Sequence, residues 1–203
     1  VQELNAVPVV ADHVVDQFAD AVGFLVDGAI ELGRAVLMSL DTEAIKQVRR
    51  SRLALAKAGS RGADSLRPRS ETARRSTTRL KLDVFQRDAW TCRFCGARTI
   101  DLRVLQAVSA LCPVELSFHP NWKFGASHLL YWTHSSSLEH VVPFARGGAD
   151  DDTNFVTTCY GCNDARGDLL LEEIGWLLRS PASSGWRGLT EHLVALSAAT
   201  RGS

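Results

Sequence analysis

The chain has no net charge, because 23 lysines and arginines offset 23 aspartates and glutamates. It also has no long apolar run free of charge. Its most apolar early stretch, residues 9–40, carries Asp12, Asp16, Asp20, Asp27, Glu31 and Arg34. Charges at nearly every turn exclude a bilayer span there, since each would have to be desolvated in hydrocarbon. The opening "VQELNAVP" lacks the basic stretch and apolar run of a secretion signal, so a cytoplasmic setting is expected. No internal repeat of useful length is present. An even cysteine framework is missing too: there are five cysteines, and Cys112, before Pro113, has no partner in a pair. An odd count without a secretion signal favours metal binding over disulfides.

What is present is unevenly distributed. Residues 1–44 carry eight acids and one base, a balance of −7. Residues 45–103 carry sixteen bases and five acids, or +11, and the remainder comes to −4. A basic middle between acidic ends points to a polyanionic partner, with a solvated basic linker as the plain alternative.

Residues 8–40 read as one long helix, broken or continuous, weakened by Gly23, Gly28 and Gly33 and therefore packed on something. "SLDTEAI" carries a cap signal at Ser39 or Asp41, predicting a basic helix from about Glu43 to Ala58. Residues 1–58 are thus expected to be a helical N-terminal region, and 59–78 a basic linker rich in Gly, Ser, Arg and Pro. A third unit is expected over 79–203. There "LKLDVFQRDAWTC" predicts a short helix feeding "CRFCG". An insert over 100–137 has no legible motif. "SSLEHVVPF" and "NFVTTC" predict strands around the turn-rich "ARGGADDDT", and "CNDARGDLLLEEIGWLL" begins a helix. The fold class expected is α+β.

Two Cys-x-x-Cys turns, Cys92/Cys95 and Cys159/Cys162, can each aim two sulfurs at one point and together supply the four thiolates of a structural zinc site. The 63 intervening residues are tolerable, because closure entropy grows slowly with loop length. A redox-active pair or two unrelated pairs are the alternatives. Zinc leaves "EH" at 139–140, Asn154 and Asn163 unexplained.

These residues resemble a known family. "CRFC", then "LEHVVPFARGG", then "TNFVTTCYGCN" follow in order the pattern of the zinc-stapled HNH endonucleases, of the ββα-metal fold, over about residues 79–176. The insert's "PNWKFG" is similar to a segment preceding the catalytic strand in a subset of them. The resemblance implies a metal-dependent DNA endonuclease. His140 would be the general base and Asn154 its orienting residue. Glu139 and Asn163 would hold one divalent cation, Mg2+ or Mn2+. The four cysteines would hold Zn2+ and fix Asn163 in place. Cleavage would leave a 3′-hydroxyl and a 5′-phosphate. The chain departs from the family at Glu139, where aspartate or histidine is commoner, and at Asn163, where many members have histidine.

The chemistry itself calls for these residue types. An anionic phosphodiester resists neutral water. A hard cation prefers carboxylate and amide oxygens, and it neutralises charge on the phosphate and on the departing alkoxide. A histidine side chain, near pKa 6.5 in its unperturbed form, can accept a proton at neutral pH. Adjacent residues of a regular strand face opposite ways, so Glu139 and His140 are expected to divide the work. His128 and His134 are expected to have packing or surface roles. Arg79, Lys81, Arg87, Arg93, Arg146 and Arg166 are the candidate phosphate contacts, with Arg74, Arg75 and Arg98 nearby. Such contacts carry no base information directly. DNA is the expected partner. The N-terminal helices are expected to dimerise, meet a partner protein, or cover the basic surface. A non-catalytic zinc module that binds DNA or protein is the rival reading; it would need the cysteines and the basic patch, but not His140, Asn154 and Asn163 together.

Overall fold

The computed structural model describes residues 11–59 and 78–202. The basic linker expected over 59–78 lies outside the described residues except at its two ends, as do Arg74 and Arg75.

The N-terminal stretch forms two helices: α1 (Asp12–Val26) and α2 (Ile30–Met38). The break falls at Gly28, whose φ of 80° is open to glycine and strained for most residues. Gly33 lets the two helices cross closely, since a Cβ there would lie 2.7 Å from the Leu25 side chain. α1 buries Val14, Val15, Phe18, Ala21, Val22 and Leu25, a stripe at helical spacing. α3 (Thr42–Gly59) starts at Asp41, whose Oδ1 accepts the Ala44 N–H at 2.9 Å. Of the two candidate caps, Asp41 is therefore the one that satisfies a free helix N–H.

α4 (Thr78–Arg87) leads into the first cysteine turn, as its sequence predicts. The insert without a motif contributes α5 (Leu102–Leu111), capped by Asp101, and the short α6 (Leu129–His134). Strands β1 (Ser136–His140) and β2 (Phe155–Cys159) pair antiparallel, with His140 opposite Phe155 and Ser136 opposite Cys159. β1 stops at His140, short of the "VVPF" expected to continue it. α7 (Tyr160–Arg166) is also shorter than its apolar continuation suggests: Gly167, at φ 58°, ends it, and the chain goes on through a 3-10 turn at Glu172–Ile174. α8 (Leu193–Gly202) packs back on α5.

One buried cluster joins Val15, Phe18 and Ile45 of the N-terminal helices to Val104, Leu105, Tyr131 and Leu196. The helices before the linker thus share a core with the insert and α8. A smaller cluster, with Phe94, Val156, Ala165 and Trp176, encloses the four paired cysteines. Among the described residues no helix is long and apolar enough to cross a membrane.

Acid from the N-terminal helices does meet base from the middle of the chain at one point. Arg98 donates to Asp16 Oδ1 at 2.7 Å and to the Asp12 carbonyl at 3.0 Å, while its own N–H reaches Asp12 Oδ1.

Candidate functional site

The first cysteine turn is closed by its own backbone. Gly96 N–H donates to the Cys92 carbonyl, and Ala97 N–H points to Cys95 Sγ at 3.5 Å. The Arg93 N–H donates to Thr157 O, which ties the first turn to β2 beside the second. All four sulfurs lie within 4.8 Å of one another and are buried. Cys95 and Cys159 are 3.9 Å apart, far beyond a disulfide bond. A tetrahedron with Zn–S bonds of about 2.3 Å puts its sulfurs about 3.8 Å apart. The electrostatics also ask for a cation. Hydrogen bonds from Cys162, Cys92 and Cys95 hold the Cys159 thiol well below its ordinary value. The Cys95 thiol is pushed up by its bond to Cys159, and the Cys162 thiol by burial. Four buried thiols cannot all ionise unaided, so the donor set fits zinc. Arg52, from α3, lies beside this cluster. Burial works against its charge, and the four sulfurs favour it. Cys112 is buried in the larger core, away from the cluster.

Beside the cluster β1, the following loop and α7, with α4 and the start of α5, border a half-open cavity of about 1000 Å³, lined in part by Glu139, His140, Asp150, Asn163 and Lys81. The His140 ring packs on Phe155, with centroids 4.6 Å apart, and its side chain is 14% exposed. Its Nε2 lies 3.0 Å from Asp150 Oδ1. Glu139 does not turn fully away from His140 as in a regular pleat. Its Oε1 accepts the His140 N–H at 2.7 Å and lies 3.9 Å from His140 Nδ1. The strand ends here, so the alternation is not enforced. The same oxygen is 3.4 Å from an Arg166 nitrogen.

Asn163, one residue past Cys162, donates from Nδ2 to Ser137 Oγ at 2.7 Å. With its nitrogen engaged, the amide presents oxygen as its remaining polar atom. Asn154 makes no hydrogen bond to the His140 ring. Its Oδ1 accepts the Val142 N–H, and its Nδ2 donates to the Val142 and Ala149 carbonyls. It therefore fixes the loop that starts just after His140.

The arginines expected to contact nucleic acid divide by burial. Arg166 is 1% exposed, and its guanidinium donates to the carbonyls of His140, Val141 and Leu169. It braces the strand end from inside and does not reach a phosphate. Arg93 is buried as well, donating to the Arg179 carbonyl and to Asp88 at 2.9 Å. Arg87 is committed to Asp88 and to the carbonyls of Asp152 and Phe155. Burial correlates poorly with charge in sequence, because an arginine with enough carbonyl partners can be buried at small cost. Arg79 and Lys81 stay exposed on α4, and Arg146 is exposed near Glu173 and Asp168.

His128 caps α6, its Nδ1 accepting the Leu130 N–H. His134 is buried against Thr133 Oγ1 at 2.8 Å, and burial pushes its pKa down to about 4. His134 is thus a buried packing residue and His128 a helix cap.

Two partners of the site escaped the sequence reading. Asp150 is the first of three consecutive aspartates, and nothing in that run marks which one turns inward. Asp88, fully buried, gathers Arg87, Arg93 and the Thr157 N–H at 2.7 Å. Its only sequence signal is its place next to a basic residue.

Residues 127–169 match the family model of the HNH endonucleases. The matched segment holds His140, Asn154, Asn163 and the second cysteine turn; the first turn lies before it. No curated protein and no solved structure matches the chain.

Proposed function

We propose that this chain, which carries an HNH endonuclease domain over residues 127–169, is a metal-dependent DNA endonuclease. The observation that carries the reading is the convergence of Glu139, His140 and Asn163 on one cavity, beside four clustered cysteines. His140 takes a proton from the attacking water. The new P–O bond forms as the bond to the 3′ oxygen breaks, and that oxygen is protonated by solvent, leaving a 3′-hydroxyl and a 5′-phosphate. The Glu139 carboxylate and the Asn163 amide offer hard oxygen donors suited to Mg2+ or Mn2+. Bound there, such a cation would neutralise charge on the phosphate and the leaving oxygen. Arg166 holds the Glu139 carboxylate and the His140 carbonyl in fixed relation. Asn154 shapes the loop at the cavity's edge. With zinc bound, Cys159 and Cys162 would keep α7, and with it Asn163, against β1. Lys81, bordering the cavity, and Arg79 on the same helix supply exposed positive charge for the DNA backbone.

The non-catalytic DNA-binding module draws support from one contact, that of Glu139 with Arg166, which competes with a cation for the carboxylate. A single gel separates the two readings. Supercoiled plasmid is incubated with protein and Mg2+ or Mn2+, beside His140→Ala and EDTA controls. Nicking or linearisation lost in both controls is the expected result. A shifted but uncut plasmid would favour the binding module.

A further inference from the structure

We infer that Asp150 is a positioning residue that holds His140 as its Nε2–H tautomer and so presents Nδ1 as the basic nitrogen. The inference rests on the nuclease reading for its catalytic meaning, but its structural part stands alone.

Asp150 Oδ1 and His140 Nε2 are 3.0 Å apart, and the two side chains are 13% and 14% exposed. An ionised carboxylate only accepts hydrogen bonds, so the ring nitrogen facing it must carry the proton. In a neutral imidazole the other nitrogen then holds the lone pair. That nitrogen, Nδ1, faces Glu139 Oε1 at 3.9 Å. The separation is too long for a direct hydrogen bond and suits a water between them. The free lone pair is therefore on the side where the proposed cation ligand stands.

The loop is built to hold Asp150 there. Asn154 clamps Val142 and Ala149, the residues that open and close the turn before Asp150. Gly148 makes the clamp possible: a Cβ there would lie 1.9 Å from the Val142 carbonyl oxygen and 2.7 Å from Asn154 Nδ2. No side chain fits that space. Asn154 thus orients the His140 ring at one remove, through the loop that delivers Asp150. This also accounts for an orienting asparagine that makes no hydrogen bond to the ring.

The test uses the full zinc-loaded chain. Nitrogen NMR of the imidazoles reads the tautomer of His140, whose signals are those lost in His140→Ala. Plasmid cleavage is followed across Mn2+ concentration for wild type, Asp150→Asn and Asp150→Glu. The wild type is expected to show the Nε2–H tautomer. Asp150→Asn, whose amide can donate as well as accept, is expected to lose that preference. It should also lose roughly 10–100-fold in kcat at saturating metal, with half-saturating metal unchanged. Asp150→Glu should recover part of both. An Nδ1–H tautomer in the wild type, or one unchanged by Asp150→Asn, would overturn the inference. So would a variant whose only defect is a higher metal requirement, since Asp150 would then be a ligand. If the wild type fails to cut DNA, the nuclease reading falls, and the tautomer still decides the role of Asp150.

Discussion

Arg52, from α3, packs its stem against Gly161, inside the turn between Cys159 and Cys162: a Cβ at 161 would lie 3.3 Å from Arg52 Cγ. An N-terminal helix thereby supplies a buried positive charge to the cysteine cluster. Four thiolates around Zn2+ carry a net charge of about −2, so a nearby guanidinium offsets part of it. Arg52→Met keeps the stem and removes the charge. Zinc should then be lost to a competing chelator at roughly 10–100-fold lower chelator concentration. Equal retention would mean that the contact is packing alone.

Zinc itself should be part of the fold. The cluster closes a long loop and holds α7 on β1, and ligand binding to the native state adds directly to stability. Elemental analysis is expected to find one zinc per chain. Stripping it should lower the thermal midpoint, and Cys162→Ser should do the same without a chelator. A midpoint that ignores both treatments would argue against a structural metal.

Asp88 gives a pH dependence with a definite sign. Burial opposes its charge, but hydrogen bonds from Arg87 and the Thr157 N–H, with Arg93 nearby, hold its carboxyl below the usual range. A carboxyl depressed by folding contributes stability that is fully present above the unfolded value of about 3.9, and loses it as pH falls through the folded value. Asp88→Asn should cost roughly 3–5 kcal/mol at neutral pH, because it leaves the buried Arg93 without its anion. In urea melts the gap to wild type should stay constant from about pH 7 to 5 and narrow below about pH 4.

The basic residues should separate into two kinds. Lys81→Ala should weaken DNA binding across all sequences and lower the slope of log affinity against log salt by about one. Arg166→Ala should leave that slope unchanged. It should instead lower stability and cleavage, because it removes the brace behind Glu139 and His140. Fluorescence anisotropy at several salt concentrations, beside a denaturant melt, distinguishes them.

Where an arrangement depends on a few neighbouring residues, it could be read from the chain directly. A Cys-x-x-Cys turn brings two sulfurs together through its own backbone, so both cysteine pairs were legible, and so was Asn163 riding on the second. The strand expected at "SSLEHVVPF" and the glycines of the loop after it marked the strand and turn that carry His140. Asp41 announced α3 in the same local way. Tertiary structure decided what no window of sequence contains. It set the shared core of α1–α3 with the insert, the inward turn of Asp150, and the meeting of Arg52 with Gly161 more than a hundred residues later. It also decided which arginines face water. Arg166 and Arg79 look alike in sequence, but only Arg166 has three carbonyls and a carboxylate converging on it. A charged side chain can be buried only where distant elements bring such partners, and long-range packing alone determines that.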